Sequence, residues 1–193
     1  MKKQTILIAG AGSGLGKGSA VGLKEGNVII AAMQTWEQMS PFIEEATDTD
    51  YGKNIELIKL DILDYINCEK AWKHEIDILV NNAAIRQTGP LAVIPVELVY
   101  EVTETNAFST LEFSQRFIKK IIEKGKGKVA FVSSVAGLIT EAFLGLYNAS
   151  KYVLEAIVHC LRDDLKPIGV TVVYANTGLF ETGFNDRMYN TNK

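Results

Sequence analysis

Cysteine and histidine are scarce in this chain, two of each among 193 residues. Cys68 and Cys160 form no metal-type spacing and suggest no disulfide framework, so they read as small apolar fillers in a reducing compartment, the cytoplasm. His74 and His159 stand in no partner pattern, and no metal site is expected. Basic blocks are absent as well. The formal net charge is −3, from 20 basic and 23 acidic residues, so neither nucleic acid nor an anionic membrane surface is expected as a partner. No apolar run is long enough to span a bilayer. The run after Met1-Lys2-Lys3 is too short for a signal peptide, and glycines break it at once. Internal repeats, low-complexity tracts and linkers are missing too. Hydrophobic residues at 47% then suit one domain over residues 1–193 with a sizeable core.

What is present is a succession of short apolar runs separated by helical patterns. Gln4–Ala9, Asn27–Ala32, Asn54–Leu60, Ile76–Val80, Lys128–Val132 and Val170–Tyr174 read as six strands. The nearly continuous apolar character of Ile76–Val80 suits a parallel sheet covered on both faces. Helices are expected over Leu15–Lys24, from Ser40-Pro41, around Asp64–Lys73, over Pro95–Glu123 and around Tyr147. The first strand runs into Gly10-Ala11-Gly12-Ser13-Gly14-Leu15-Gly16. Glycines there allow a tight turn and a close backbone approach to a ligand. The amides opening the next helix would face a pyrophosphate. Glycines at 10, 14 and 16 give G-x-x-x-G-x-G, whereas G-x-G-x-x-G would need glycine where Leu15 stands.

Strand ends carry the remaining polar signals. An acid at the end of the second strand would bind a ribose 2′-hydroxyl and repel a 2′-phosphate. The positions read Met33-Gln34-Thr35, with no acid until Glu37. The third strand ends at Asp61-Ile62, where Asp61 either accepts from an adenine amino group or caps the following helix. Asn81 and Asn82 end the fourth strand and must either tie strands together or meet a ligand. Asn106 lies on the apolar face of the long helix, seven from Val99 and seven from Phe113. A buried amide there is costly unless bonded.

Ser134 closes the fifth strand, thirteen positions before Tyr147, and Lys151 follows Tyr147 by four. On a helix Tyr147 and Lys151 share one face. In an open α/β sheet, ligands bind at the carboxyl ends of strands, where Ser134 stands. A phenol is a poor acid–base catalyst at neutral pH, with a pKa near ~10. A lysine ammonium one turn away favours the phenolate. The serine hydroxyl can hold a carbonyl or alcohol oxygen beside the phenol. A Tyr-x-x-x-Lys pair alone is common by chance; paired serines at the strand end and the glycine loop upstream are what favour chemistry.

Taken together, these motifs resemble the short-chain dehydrogenase/reductase family in its single-domain branch, over nearly the whole chain. Ala9-Gly10 through Gly16 resembles its Thr-Gly-x-x-x-Gly-x-Gly loop, with Ala9 for threonine. Asn81-Asn82-Ala83-Ala84 resembles Asn-Asn-Ala-Gly, and Thr177-Gly178 through Thr182 resembles Pro-Gly-x-x-x-Thr. The resemblance implies a three-layer, doubly wound parallel sheet of the Rossmann type, and an NAD(P)-dependent oxidoreductase interconverting a carbonyl and a secondary alcohol. It implies a catalytic tetrad of Asn106, Ser134, Tyr147 and Lys151. Tyr147 would exchange the proton, Ser134 orient the substrate oxygen, Lys151 bind ribose hydroxyls and lower the tyrosine pKa, and Asn106 position a water that relays protons to Lys151. Cofactor contacts would come from Gly10, Ser13, Gly14, Leu15, Gly16, Gln34, Asp61, Ile62, Asn82, Ala83, Leu179 and Thr182, with Tyr147 and Lys151 shared. The missing acid at Met33–Thr35 favours NADP over NAD. Leu138, Phe143, Leu144 and Phe184 would line the pocket and suggest an apolar small-molecule substrate. The other functional class is a dinucleotide-binding sensor without turnover, which would have no need of the Ser134–Tyr147–Lys151 set.

Two expectations concern assembly. The Pro95–Glu123 helix is apolar over more than one face (Leu98, Phe108, Leu111, Ile118 and Ile122 besides Val99, Val102, Phe113, Phe117 and Ile121), which with the family resemblance points to a homodimer or homotetramer built on it and the Tyr147 helix. Family members also continue past the Thr182 segment through a lid, a helix and a seventh strand. With Lys193 as the last residue, Val170–Tyr174 is expected to be an edge strand open to pairing and Gly183–Lys193 to pack poorly and leave the pocket open, so the domain is expected to be C-terminally incomplete, part of a longer protein, or to have this edge covered by a neighbouring subunit.

Overall fold

The computed structural model describes residues 3–47, 54–178 and 180. Leu179 and the 181–193 segment, including Thr182 and Phe184, lie outside the described residues, as do the expectations placed on them.

Six strands form one wholly parallel sheet: β1 (Thr5–Ala9), β2 (Val28–Met33), β3 (Ile55–Lys59), β4 (Ile78–Asn81), β5 (Lys128–Ser134) and β6 (Thr171–Thr177). Their order across the sheet is β3-β2-β1-β4-β5-β6. The expected doubly wound α/β fold is therefore the observed one. The connecting helices are α1 (Gly14–Leu23), α2 (Ser40–Thr47), α3 (Tyr65–Ala71), α4 (Val96–Thr103), α5 (Ser109–Lys124) and α6 (Gly145–Leu165).

Strand alternation sends neighbouring side chains to opposite faces. Leu7, Ala9, Ile30 and Ala32 pack under Phe113, Phe117 and Ile121 of α5 and Leu154 of α6, with Cys68 and Ala71 of α3. Ile6, Ile8, Ile29, Ala31 and Met33 face Ala20 of α1 and Phe42 of α2. A sheet covered on both faces explains why β1 and β2 read as unbroken apolar runs. A third cluster joins Val102 of α4 to Leu146 and Tyr147 of α6.

The sequence anticipated one helix over Pro95–Glu123. The structure breaks it with a π-turn, Glu104–Phe108, which carries Asn106. Helical periodicity does not reveal such a turn, because it adds one residue without interrupting the apolar pattern on either side. Gly125, at φ 73°, ends α5 in the left-handed conformation that glycine adopts without a Cβ penalty.

The strand order reverses between β1 and β4, which opens a crevice at their carboxyl ends. Here the Asn82 side-chain amide donates to Gly10 O at 2.7 Å, and Asn82 N donates to Ala9 O at 3.0 Å. Asn81 turns the other way, donating to Ser114 Oγ at 2.9 Å, and ties β4 to α5. At the other side of the sheet, β6 pairs with β5 alone among the described residues. Its Val170 and Val172 neighbourhood is buried, while Val173 is exposed.

Candidate active site

A continuous cleft of about 560 Å³ runs along the carboxyl ends of the strands. Gly10, Ser13, Gly14 and Leu15 line one end, Gln34, Asp61 and Ile62 one wall, Asn82 and Ala83 the floor, and Ser134, Tyr147 and Lys151 the other end. Twelve of the sixteen residues anticipated as catalytic or cofactor-binding thus share one cavity. Gly16 and Asn106 support it from behind, and Leu179 and Thr182 lie outside the described residues.

The glycine end has the shape a dinucleotide requires. Gly10 has φ +79°, and a Cβ there would meet Ala83 Cα and N at 2.6 Å. A Cβ on Gly16 would strike Gly10 O and the Asn82 amide. Ser13 stands at the N-cap of α1 in extended conformation, yet its side chain makes no cap hydrogen bond, and the first turn carries no acid. The opening amides of α1 are left facing the cleft, an arrangement that suits a pyrophosphate. These residues fit a dinucleotide.

Asp61 does not cap α3. That role belongs to Asp64, which accepts from Ile66 N and Asn67 N at 2.8 and 3.2 Å. Asp61 instead accepts from Leu63 N at 3.0 Å and from the Gln34 side chain at 3.1 Å, and it stays on the cleft wall. Gln38, which the sequence did not single out, accepts from Gln34 N at 3.0 Å and sits over Gly12, whose missing Cβ makes room for it.

At the other end, Ser134 closes β5 and accepts from Ala136 N at 3.2 Å while donating to Thr177 O at 3.3 Å. Its one hydroxyl proton can turn instead to the Tyr147 phenol oxygen. Tyr147 is 7% exposed; burial pushes its pKa up, while the Ser134 hydrogen bond and the Arg86 charge pull it down. Lys151 is 2% exposed, and its Nζ donates to Val132 O at 3.1 Å. Burial lowers its pKa to about 8, against the opposing charge of Glu155. The sequence reading attributed the cation beside the phenol to Lys151 alone. Arg86 adds a second, its guanidinium carbon 5.4 Å from the Tyr147 ring centroid. Arg86 lies on an irregular loop after β4, where periodicity carries no signal; its only mark was proximity to the Asn81-Asn82 strand end.

Asn106 has side-chain partners that the sequence did not name. Its amide donates to Ile85 O at 2.8 Å and Ser150 Oγ at 3.0 Å, and its carbonyl accepts from Ile85 N at 2.8 Å. Both side-chain N–H groups are used, so the amide clamps the loop after β4 to α6 and has no donor left for a water. The expected pocket lining also changes. Leu144 lines the cleft, but Leu138 and Phe143 are exposed and do not line it; Val135, Ile139, Arg86 and Glu141 stand there instead. The substrate end is therefore mixed in character rather than apolar.

A family model described as short chain dehydrogenase matches residues 4–193. The chain belongs to the short-chain dehydrogenase family. Among curated members it is similar to an NADPH-dependent 3-dehydrocapnine reductase of Ornithobacterium rhinotracheale, 30% identical over 189 residues, covering 91% of this chain and 65% of that protein. Human retinol dehydrogenase 8 is 27% identical over 192 residues, covering 96% and 61%. The chain thus spans less than two thirds of the length of these two relatives. Among solved family structures, a short-chain dehydrogenase from Streptomyces avermitilis superposes with a TM-score of 0.85 at 25% identity, covering 94% of this chain and 68% of that one. A gluconate 5-dehydrogenase from Burkholderia cenocepacia, at 23% identity and a TM-score of 0.86, shows the same fold over 100% of this chain and 77% of its own. Among the described residues no helix is long and apolar enough to cross a membrane.

The buried ammonium of Lys151 has a measurable consequence for stability. Its folded pKa of about 8 lies below its ordinary 10.5, so the unfolded chain binds the proton more tightly. The penalty is full below pH 8 and fades as pH rises from 8 to 10.5. In the cofactor-free protein, Lys151→Met should be more stable than wild type at pH 7 by on the order of 3 kcal/mol, and the gap should close towards pH 10.5. Denaturant melts of both proteins across that range check it; a gap independent of pH would contradict the assignment.

Proposed function

We propose that this chain is a nicotinamide-dependent oxidoreductase that interconverts a carbonyl and a secondary alcohol, with Tyr147 as the acid–base group. The observation that carries the reading is one cleft that holds both the glycine cradle and the Ser134–Tyr147–Lys151 set. When bound, the nicotinamide supplies or accepts a hydride. The chain's own groups do the rest. Ser134, whose hydroxyl can turn to the phenol, holds the substrate oxygen within reach of the Tyr147 hydroxyl. In reduction, the phenol gives its proton to the oxygen of the forming alcohol; in oxidation, the phenolate takes it back. Lys151 offers a cation near the ring, its Nζ 5.7 Å from the centroid, and would meet ribose hydroxyls. Asn106 keeps the loop after β4 registered on the helix that carries both groups.

The cofactor in this reading is NADP before NAD. No acid stands at Met33–Thr35, and Glu37 is fully exposed and drawn to its own loop by a backbone hydrogen bond and by Thr35. The NADPH dependence of the dehydrocapnine reductase agrees with this. The setting is the cytoplasm, in keeping with two unbridged cysteines. The assembly is a homodimer, or a tetramer made of such dimers, through α4–α5 and α6. Val96, Tyr100 and Ile122 are exposed on the first pair of helices, Phe108 on the π-turn between them and Tyr152 on the last helix. Ile118, which was expected to join them, is buried in the core instead.

Three measurements test these statements. Tyr147→Phe should keep cofactor binding and lose turnover by at least ~10², the scale of a general acid–base group, on a panel of ketones and alcohols followed through the reduced-nicotinamide absorbance. A chain that binds cofactor tightly but turns over none of the panel, mutant or wild type, would instead be a sensor. Titration should show NADPH bound more tightly than NADH, and the reverse order would overturn the cofactor choice. Sedimentation at micromolar concentration should give a dimer or larger; a monomer would exclude the helical interface.

A further inference from the structure

Two cations, not one, lie against the Tyr147 ring, and they come from different parts of the chain. Lys151 belongs to the same helix, one turn on. Arg86 reaches in from the loop after β4, its guanidinium carbon 5.4 Å from the ring centroid against 5.7 Å for Lys151 Nζ. Both line the cleft that contains the phenol. Their chemistry differs. The Lys151 ammonium is buried and bonded to the Val132 carbonyl, and with a pKa of about 8 it gives up its charge under mildly alkaline conditions. Arginine is not deprotonated in proteins.

We propose that Arg86 is a positioning residue for Tyr147: it holds the phenol ring towards Ser134 and supplies a persistent positive charge that keeps the phenolate accessible. This rests on the reading of Tyr147 as the proton-exchanging group. The surroundings of the ring support it. The π-turn presents Thr105 to the cleft, α4 packs with Leu98, Val99 and Val102, and the turn after β5 packs with Ala136. None of these carries charge. Glu141, ahead of α6, lines the same cleft, and Glu155 lies beyond Lys151, so the nearby acids oppose a phenolate rather than favour it. Among the described residues, Arg86 is the cation over this ring from outside α6. Burial alone pushes the phenol up, and the Arg86 charge is one of two influences that pull against it.

The test needs neither substrate nor cofactor. The ultraviolet phenolate band of the whole chain is titrated, and the Tyr147→Phe titration is subtracted, which isolates one phenol among seven tyrosines. Arg86→Gln should raise the Tyr147 midpoint by at least about one pH unit, roughly tenfold less phenolate at a fixed alkaline pH. Arg86→Lys should restore most of the difference while that lysine stays charged. An unmoved midpoint in Arg86→Gln overturns the proposal. Should the glutamine variant not fold, Arg86→Met repeats the measurement. If neither neutral variant folds, a lysine variant that titrates like wild type supports the charge role, and one that fails as they do overturns it. A chain without turnover on any substrate would sink the proposed reaction yet leave this titration readable. An active chain with an unmoved midpoint would sink only the role of Arg86.

Discussion

The carboxyl ends of β1 and β4 come so close that no side chain fits between the glycine turn and the Asn82 amide. That contact is the constraint on which the rest of the site depends. With a Cβ at position 16, α1 could not start where it does, and its opening amides would not face the crevice. With another residue at position 82, Gly10 O would lose the hydrogen bond that ties the turn to β4. Both strands are fully hydrogen-bonded inside the sheet, so the turn has little freedom to relax. The glycine loop is thus a packing requirement as well as a ligand feature.

The chemical end of the cleft follows a different logic, in which buried polar groups bond one another, although among the described residues Ser133 Oγ and Glu155 Oε2 make no hydrogen bond. Asn106 is bound to Ile85 and Ser150, Ser150 in turn donates to Tyr147 O at 2.8 Å, and Asn148 donates to Ala136 O and Ile139 O, both at 2.8 Å. These bonds fix the helix bearing Tyr147 and Lys151 against two loops that would otherwise be mobile in register. Asn176 extends the network to β6, donating to Glu155 at 2.6 Å. Partly satisfied networks of this kind are costly, and complete ones rigidify a site. The price of that rigidity is the Lys151 ammonium, held where its charge is disfavoured.

Much of this was legible in the chain before any coordinates. The apolar runs mark six strands because a sheet covered on both faces leaves no polar alternation to confuse the period. Ser134, Tyr147 and Lys151 were legible because strand end and helical turn together dictate their approach. Asp61 could be read two ways from sequence, and only the position of Asp64 as the cap of α3 separates them. Arg86 and Gln38 were not legible, since both sit on irregular segments whose direction is set by tertiary contacts. Asn106 was found as a buried amide, but its side-chain partners, Ile85 and Ser150, were not legible, because they are 21 and 44 positions away. Leu138 and Phe143 show the same limit: hydrophobic character does not say which side of a loop faces the cleft.

The π-turn at Glu104–Phe108 has a geometric consequence for the helix it interrupts. Each residue advances an α-helix by about 100°, so one extra residue in a turn re-phases everything upstream of it relative to everything downstream. The segment before the turn directs Leu98, Val99 and Val102 at α6, and the segment after it directs Phe113, Phe117 and Ile121 at the sheet. One continuous rod thereby serves two surfaces that no single apolar stripe could address. Deleting a residue from 104–108 would straighten the rod and swing the upstream stripe by roughly a quarter-turn. The loss would be felt not at the deletion but in the packing beneath Tyr147.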